Sequence, residues 1–265
     1  MRPLAAPFAL CLLTFDLTVV AAEPRTSQEI EAFMRSAKVM RFRELSTGIT
    51  RPLRLTLSDG SFTHDAVFQA VEEKRAIFVP TKGQTEINFV DSWRYNVAAY
   101  RLAGLLGLER MTPVTIDYQH RGKSGALSWW MDSLMDERRR LKEKVQPPDV
   151  VAWNRDMYRM RLFTSLVRDT DRNLGNVLVS PTWGVIMLDF TRAFRLHEEI
   201  QTKEIHQCDR HLWARLQELN AAALNSAVGD FLTSFEKASV IKRRDLLVAH
   251  IQELVAKRGE EHVLY

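Results

Sequence analysis

One polar stretch in the second half of the chain constrains the fold and the chemistry more than any other. Over residues 167–190 the sequence has the pattern of a helix end, a polar loop, a short strand, a tight turn and a second apolar strand. The loop holds Asp171 and Asn176, five residues apart, and Asp189 follows the second strand, thirteen residues after Asn176. This spacing predicts that the three side chains belong to one site.

The residue types and their spacing match those of a site that transfers a phosphoryl group. In such sites the first Asp orients the attacking hydroxyl, and the Asn and the second Asp hold magnesium on the nucleotide phosphates. Magnesium takes only one or two ligands from the protein, so this small set suffices. We therefore predict Asp171 as the catalytic residue, Asn176 and Asp189 as ligands of Mg²⁺ or Mn²⁺, and ATP as the co-substrate. The alternative is ordinary loop polarity, since Asp and Asn are common in turns.

The first residues have the features of an export signal. Arg2 precedes an apolar run over residues 4–20, and Val20-Ala21-Ala22 fits cleavage before Glu23. We therefore expect residues 1–22 to be a signal peptide and the mature chain to be periplasmic or secreted. The alternative is an uncleaved segment that anchors the protein to a membrane. No later stretch has the apolar length of a membrane span.

The charge and the cysteines argue against a disulfide-stabilised protein, a zinc protein and a nucleic-acid-binding protein. Signal cleavage would remove Cys11 and leave only Cys208, so no intrachain disulfide is expected. The formal net charge of +4 is mild, and neither a zinc-binding spacing nor a nucleic-acid motif is present. The basic run over residues 138–144 predicts a solvated helix end, with an anionic-lipid or nucleic-acid patch as the alternative. The uneven spacing between His206 and His211 favours a solvated loop over a metal site.

The first half of the chain predicts a small sheet with one packed helix. A short helix is expected from Ser27 to Met40, with Ser27 as its N-cap. Apolar residues then recur on one helix face from Tyr95 to Leu106, and Gly107 ends that helix. Strands are predicted at Leu53–Leu57, His64–Val71, Met111–Tyr118 and Gly125–Trp130.

The second half predicts a mainly helical lobe. An apolar stripe over residues 153–167 leads into the polar loop, and helical patterns follow the hairpin. The charged segment 136–150 ends near two consecutive prolines and predicts a linker. We therefore expect an α+β fold of two lobes, with a small β-rich N-lobe of residues 23–135 and a larger, mostly helical C-lobe of residues 151–265.

The loop Asp171–Asn176, with the sequence Asp-Arg-Asn-Leu-Gly-Asn, resembles that of phosphatidylinositol 3/4-kinases and of secretory-pathway kinases related to the Golgi casein kinase. The similarity runs from about Gly48 to about Arg195. It implies a bilobal protein-kinase-like fold, in which residues 65–69 form the strand that normally ends in the nucleotide-binding Lys. Residues 91–100 then form the helix that normally carries its Glu partner. A nucleotide is the implied partner, with a protein, lipid or sugar as an acceptor that this sequence does not identify.

Both charged positions that the resemblance implies are changed. The Lys position falls on Gln69 and the Glu position on Asn96. The protein therefore lacks the positive charge that would face the nucleotide phosphates. Because both charges are lost together, no unpaired buried charge remains. Two amides could bond to each other across the same gap. Lys82 is the best candidate for a substitute cation, and Gly48 could bring backbone close to a phosphate. Thr191 replaces the Gly that commonly follows the metal-binding Asp by two positions.

Three functions remain open from the sequence. The presence of Asp171, Asn176 and Asp189 favours a weak or divergent kinase. The loss of Lys and Glu at Gln69 and Asn96 favours a pseudokinase that binds nucleotide or serves as a scaffold. The same fold with ATP held differently would transfer another group, such as AMP.

Overall fold

The computed structural model of the chain describes residues 26–45, 51–79 and 85–265. The expected signal peptide of residues 1–22 lies outside the described residues, and so do Gly48 and Lys82.

In its described residues, the first lobe has two antiparallel sheets and two α-helices. Its strands are β1 (Lys38–Glu44), β2 (Leu53–Ser58), β3 (Thr63–Gln69), β4 (Glu72–Phe78), β5 (Glu86–Ser92), β6 (Thr115–His120) and β7 (Lys123–Trp129). Its helices are α1 (Ser27–Ser36) and α2 (Arg94–Leu105). The larger sheet has the order β1-β2-β3-β7-β6, and β4 pairs with β5.

The two faces of the five-stranded sheet have different environments. Side chains alternate between the faces of a strand, so the residues of β2 and β3 divide into two sets. Leu55, Leu57 and Phe68 are buried against α1, together with Phe33 and Met34 of that helix. From the other set, Val67 and Gln69 of β3 line the cleft between the lobes.

The beginning of the first lobe differs from the sequence prediction. The first helix ends at Ser36, and the chain continues as β1 from Lys38, where a helix to Met40 was predicted. The N-cap is Thr26, not Ser27, because the side chain of Thr26 accepts from the backbone of Glu29 in a capping box.

Two further differences concern the strands. The pair β4–β5 was not predicted, and Asp91 and Ser92 end β5, so the helix that was expected over residues 91–100 begins at Arg94. The strand predicted from Met111 begins at Thr115, after a short 3₁₀ turn.

The second lobe is mainly helical. Its helices are α3 (Glu137–Lys142), α4 (Val150–Leu166), α5 (Arg210–Glu218), α6 (Ala221–Val228), α7 (Ser234–Arg258) and α8 (Glu260–Val263). Three short strands, β8 (Met135–Asp136), β9 (Val177–Val179) and β10 (Val185–Met187), form a sheet of order β10-β9-β8. Phe163 and Leu216 lie in its core, which also takes in Leu102 of α2. The two-lobed α+β architecture is therefore confirmed.

Two charged segments are less solvated than predicted. The segment 136–150 contains α3, in which Glu137 and Arg140 are both buried and pair through two hydrogen bonds of 2.5 and 2.7 Å. Cys208 and Asp209 are also buried, and Asp209 caps α5. Within the described ranges there is no group of three His, Cys, Asp or Glu side chains that could hold a metal. Nor does any helix there have the length and apolar character to cross a membrane.

Candidate functional site

A cleft of about 350 Å³ separates the open face of the larger sheet from the β9–β10 hairpin. Gln69 and Asn96 line it from the first lobe, and Asn176 and Asp189 line it from the second. The remaining lining is mainly apolar and aromatic, and no Lys or Arg is found among the described residues of this lining.

The polar loop is held by a buried ion pair at its start. Helix α4 ends at Leu166, and Asp169, three residues later, is buried. Its carboxylate accepts from the backbone N–H of Asp171 at 3.0 Å and lies 2.5 Å from the guanidinium of Arg172. Burial raises the pKa of Asp169, and the adjacent positive charge of Arg172 opposes that rise. The loop therefore has a fixed anchor directly before Asp171.

Arg172 also connects the loop to the segment that carries Asp189. Its guanidinium donates to the backbone carbonyl of Asn176 at 2.8 Å and to that of Leu188, and it lies 4.4 Å from the ring centroid of Phe190. This role of Arg172 was not predicted from the sequence. The sequence could have indicated the ion pair of Arg172 with Asp169, because an acid and a base three residues apart in one loop can pair.

Asp171 remains partly open to solvent. Its side chain is 43% exposed, and its Oδ1 accepts from the amide of Asn173 at 3.3 Å. Its Oδ2 lies 3.8 Å from a guanidinium nitrogen of Arg192, which is a long ion pair. The carboxylate therefore keeps capacity to accept a further hydrogen bond from a molecule in solution.

Asn176 and Asp189 are brought together by the backbone. The Nδ2 of Asn176 donates to the carbonyl of Asp171 at 3.1 Å, and the N–H of Leu188 donates to the carbonyl of Asn176 at 2.9 Å. Asp189 has a φ of 54°, a left-handed conformation that Asp tolerates better than most residues, and its Oδ1 accepts from the hydroxyl of Thr191 at 2.9 Å. Thr191, which departs from the expected Gly, therefore orients the carboxylate.

The donor set fits a magnesium or manganese ion. The amide nitrogen of Asn176 is held by backbone, and no protein donor within the described residues contacts its Oδ1. Asn176 and Asp189 line the same cleft. Hard oxygen atoms are what these ions prefer, and a pair of protein ligands suffices when phosphates supply others.

Gln69 and Asn96 are in direct contact. The Nδ2 of Asn96 donates to the Oε1 of Gln69 at 2.8 Å, and its Oδ1 accepts from the backbone N–H of Phe190 at 2.7 Å. Asn96 is only 6% exposed. Gln69 and Asn96, the positions at which the sequence resemblance predicts Lys and Glu, thus form a neutral chain of hydrogen bonds from β3 through α2 to the residue after Asp189.

One further carboxylate near Asp189 was not identified from the sequence. Asp91, at the end of β5, has a buried Oδ1 with no hydrogen-bond partner among the described residues. Burial raises the pKa of Asp91, and the negative charge of Asp189 adds to that rise. Only the folded chain brings Asp91 near Asp189, so no local sequence pattern could have found it.

Comparison with solved structures connects this fold to kinases. No protein-family model matches the sequence, and no curated protein matches it. Among solved structures, a hydra Fam20 solved with sugar has a TM-score of 0.65 at 16% identity, over 94% of this chain and 95% of that one. The Golgi casein kinase has a TM-score of 0.64 at 14% identity, over 91% of this chain and 79% of that one.

A third solved structure is more distant. The proinflammatory kinase CtkA of Helicobacter pylori has a TM-score of 0.51 at 10% identity, over 85% of this chain and 96% of that one. Likeness at such low identity concerns the fold alone. The chain therefore has a bilobal kinase-like fold, similar to those of Fam20 and the Golgi casein kinase.

Proposed function

We propose that the protein is a divergent, ATP-dependent phosphotransferase of the kinase type. The observation that carries this proposal is the grouping of Asp171, Asn176 and Asp189. Backbone hydrogen bonds join the loop of the first two residues to the segment of the third. Asn176 and Asp189 line the interlobe cleft, and Asp171 stays accessible beside it.

Each of these residues has a distinct role in the proposed reaction. Asp171 accepts a hydrogen bond from the acceptor hydroxyl and receives its proton as the hydroxyl oxygen bonds to the γ-phosphorus of ATP and the bond from that phosphorus to the leaving ADP oxygen breaks. Asn176 and Asp189 would hold the metal through oxygen atoms, and Arg172 keeps the two segments in register. A bound metal would neutralise negative charge on the transferred phosphoryl group.

A second candidate function is that of a nucleotide-binding or structural pseudokinase. The neutral pair of Gln69 and Asn96 favours it, because no cation replaces the missing Lys among the described residues of the cleft lining. Lys82 remains the proposed substitute cation. Transfer of AMP by the same site is the third candidate, and its adduct differs in mass from a phosphate.

The expected location is outside the cytoplasm. The features of residues 1–22 support an exported protein, and the Golgi casein kinase is a structural neighbour that is named for a compartment of the secretory pathway. The proposed acceptor is a protein, lipid or sugar.

Thermal stability tests whether the metal site binds nucleotide. Only a ligand that binds the folded state stabilises it, so saturating Mg-ATP should raise the Tm of the wild type by about 5–10 °C. Asp171→Ala should show the same rise, since Asp171 acts on the acceptor. Asp189→Ala should show none, because it removes a metal ligand. Asp245→Ala, which removes an exposed carboxylate on α7, is the matched control and should behave as wild type.

Mass spectrometry then separates the candidate functions. A kinase should add a phosphate to itself or to a supplied acceptor, and Asp171→Ala should abolish that adduct. An adenylate adduct would select AMP transfer, and stabilisation without any adduct would select the pseudokinase. Absence of stabilisation by any nucleotide with magnesium or manganese would contradict the kinase, AMP transfer and the nucleotide-binding pseudokinase, and would leave a structural scaffold with a kinase-like fold.

A further inference from the structure

A second pocket of about 260 Å³ lies on the first lobe and is rich in arginine. Its lining consists of Arg41, Phe42, Arg43, Arg54, Thr56 and Asp65. Three guanidinium groups therefore face a single carboxylate, which leaves an excess of positive charge.

Hydrogen bonds between strands fix part of this lining. Asp65 accepts from the hydroxyl of Thr56 at 2.6 Å and from Nε of Arg54 at 2.6 Å. Arg41 donates from its Nε to Thr56 at 3.0 Å. Although burial opposes it, hydrogen bonds from Thr56 and Arg54 lower the pKa of Asp65, so this group is a carboxylate at neutral pH.

The single carboxylate does not satisfy all three cations. Asp65 is engaged by Arg54, whereas the terminal nitrogens of Arg41 have no acceptor within the described part of the chain. Arg43 has no hydrogen bond or ion pair to any described residue. These two guanidinium groups are therefore available to an anion from solution.

The pocket adjoins the interlobe cleft. Arg41 is opposite Thr56 and Thr56 is opposite Asp65 in the register of β1, β2 and β3, and Asp65 is on the same face of β3 as Gln69. The guanidinium of Arg54 lies 3.8 Å from the ring centroid of Trp130, which lines the cleft.

The positive charge is far from the metal-binding pair. Gln69 follows Asp65 by four positions on β3, which corresponds to about 13 Å at the usual rise of a strand. Gln69 contacts Asn96, and Asn96 contacts the residue after Asp189. The arginines therefore lie toward the opposite end of the cleft face from Asp189.

We propose that Arg41, Arg43 and Arg54 form a binding site for a phosphate-bearing small ligand. Guanidinium groups match phosphate oxygens in both charge and hydrogen-bond geometry. Arg54 and Thr56 are held by Asp65, and Arg41 and Arg43 supply the free donors. The phosphates belong either to a nucleotide or to a separate anionic ligand. The site does not use Asn176 or Asp189.

Calorimetric binding of tripolyphosphate to the full chain, with a chelator present to remove metal ions, tests this site. Arg41→Gln combined with Arg43→Gln should weaken binding at least about tenfold, because two charge-assisted hydrogen-bonding groups are lost. Asp189→Asn should leave the affinity unchanged. Arg110→Gln removes an exposed charge outside both pockets and is the matched control. Binding should also weaken as salt is raised.

Competition with ATP, again without metal, identifies the source of the phosphates. Displacement of tripolyphosphate by ATP at about tenfold lower concentration than by unlabelled tripolyphosphate assigns the site to nucleotide phosphates, whereas displacement by ATP that is no tighter assigns it to a separate anionic ligand. Simultaneous binding assigns it to a separate anionic ligand. The proposal is overturned if the double variant binds within twofold of the wild type, or if Arg110→Gln weakens binding equally. Because Asp171 and metal are not involved, failure here leaves the phosphotransfer test unaffected.

Discussion

The amide of Asn96 makes hydrogen bonds in two directions, and both join elements around the cleft. Its Nδ2 donates to Gln69 on β3, and its Oδ1 accepts from Phe190. A buried amide with satisfied hydrogen bonds carries little penalty, whereas a lone charge there would lack a counterion. The pair therefore keeps α2 joined to the segment of Asp189, without the positive charge that phosphates would use.

Restoring the charges one at a time should reveal this coupling. Gln69→Lys alone should lower the free energy of unfolding by about 1–3 kcal/mol, because it places an unpaired charge next to buried Asn96. Adding Asn96→Glu should recover most of the loss, since the two new charges can pair. Denaturant unfolding of the wild type, both single variants and the double variant measures the coupling.

The control for this cycle is Gln119→Lys, which adds the same charge at an exposed position of β6. It should change stability by less than about 0.5 kcal/mol. Strict additivity of the Gln69 and Asn96 effects would contradict the contact between them.

Residues of the candidate site differ in how far the sequence could reveal them. Asp171, Asn176 and Asp189 were identifiable from the sequence because they lie within one local pattern of loop and hairpin. Asp91 was not, because only the packing of β5 brings it near Asp189. The orienting role of Thr191 likewise depends on the left-handed conformation of Asp189, which spacing alone does not show.

At the scale of elements, the strands in which apolar and polar residues alternate clearly were predicted from the sequence. The pair β4–β5, in which this alternation is weak, was not predicted. Ile77 and Ile87 of this pair are exposed, whereas Phe89 is buried by contacts with the rest of the fold. Phe78 and Phe89 stack at 4.2 Å, and the guanidinium groups of Arg192 and Arg195 lie 5.1 and 5.2 Å from the ring of Phe89. Both arginines come from the second lobe, so the hairpin depends on contacts that are distant in sequence.

Helix α7 contributes a buried cation that joins three parts of the second lobe. Arg243 is fully buried, and its guanidinium donates to the carbonyls of Leu166, Arg195 and His197 at 2.7–2.8 Å. Burial lowers the pKa of Arg243 to about 10, so it remains charged at neutral pH. It fixes the end of α4, which leads into the polar loop.

Replacing Arg243 by Met should therefore destabilise the protein strongly. Three carbonyls would lose their donor, and two of these hydrogen bonds are buried, so the free energy of unfolding should fall by about 3 kcal/mol or more. Denaturant unfolding measures the change. The adjacent Lys242→Met, which removes an exposed ion pair with Glu198, should cost less than about 1 kcal/mol. Equal effects of the two variants would contradict the assigned role of Arg243.

At the scale of the whole molecule, the two lobes share helix α2. Its periodicity predicted one apolar face, but the helix is buried on several sides because both lobes pack on it. The hydroxyl of Tyr95 bonds to Glu236 of α7, and Asn96 bonds to β3. Sequence patterns could therefore identify the lobes, whereas the side chains that join them became apparent only from the folded chain.

The cysteines allow one experiment to test both the burial of Cys208 and the expected cleavage of the signal peptide. Cys208 is 1% exposed, and burial raises the pKa of its thiol to about 12. Because the thiolate is the reactive form, Cys208 should not react with a thiol reagent in the native protein. Its backbone also bonds to Val263 and Tyr265, so its exposure requires this packing to open.

Counting thiols before and after denaturation tests both expectations. If cleavage occurs after Ala22, the unfolded mature protein should contain one reactive thiol, Cys208, whereas a chain that retains Cys11 should contain two. N-terminal sequencing should then begin at Glu23. Ser226→Cys places a thiol on the exposed side of α6 and should react rapidly in the native state. Native reaction of Cys208 at that same rate would contradict its burial, and two thiols in the unfolded protein would favour the uncleaved, membrane-anchored form.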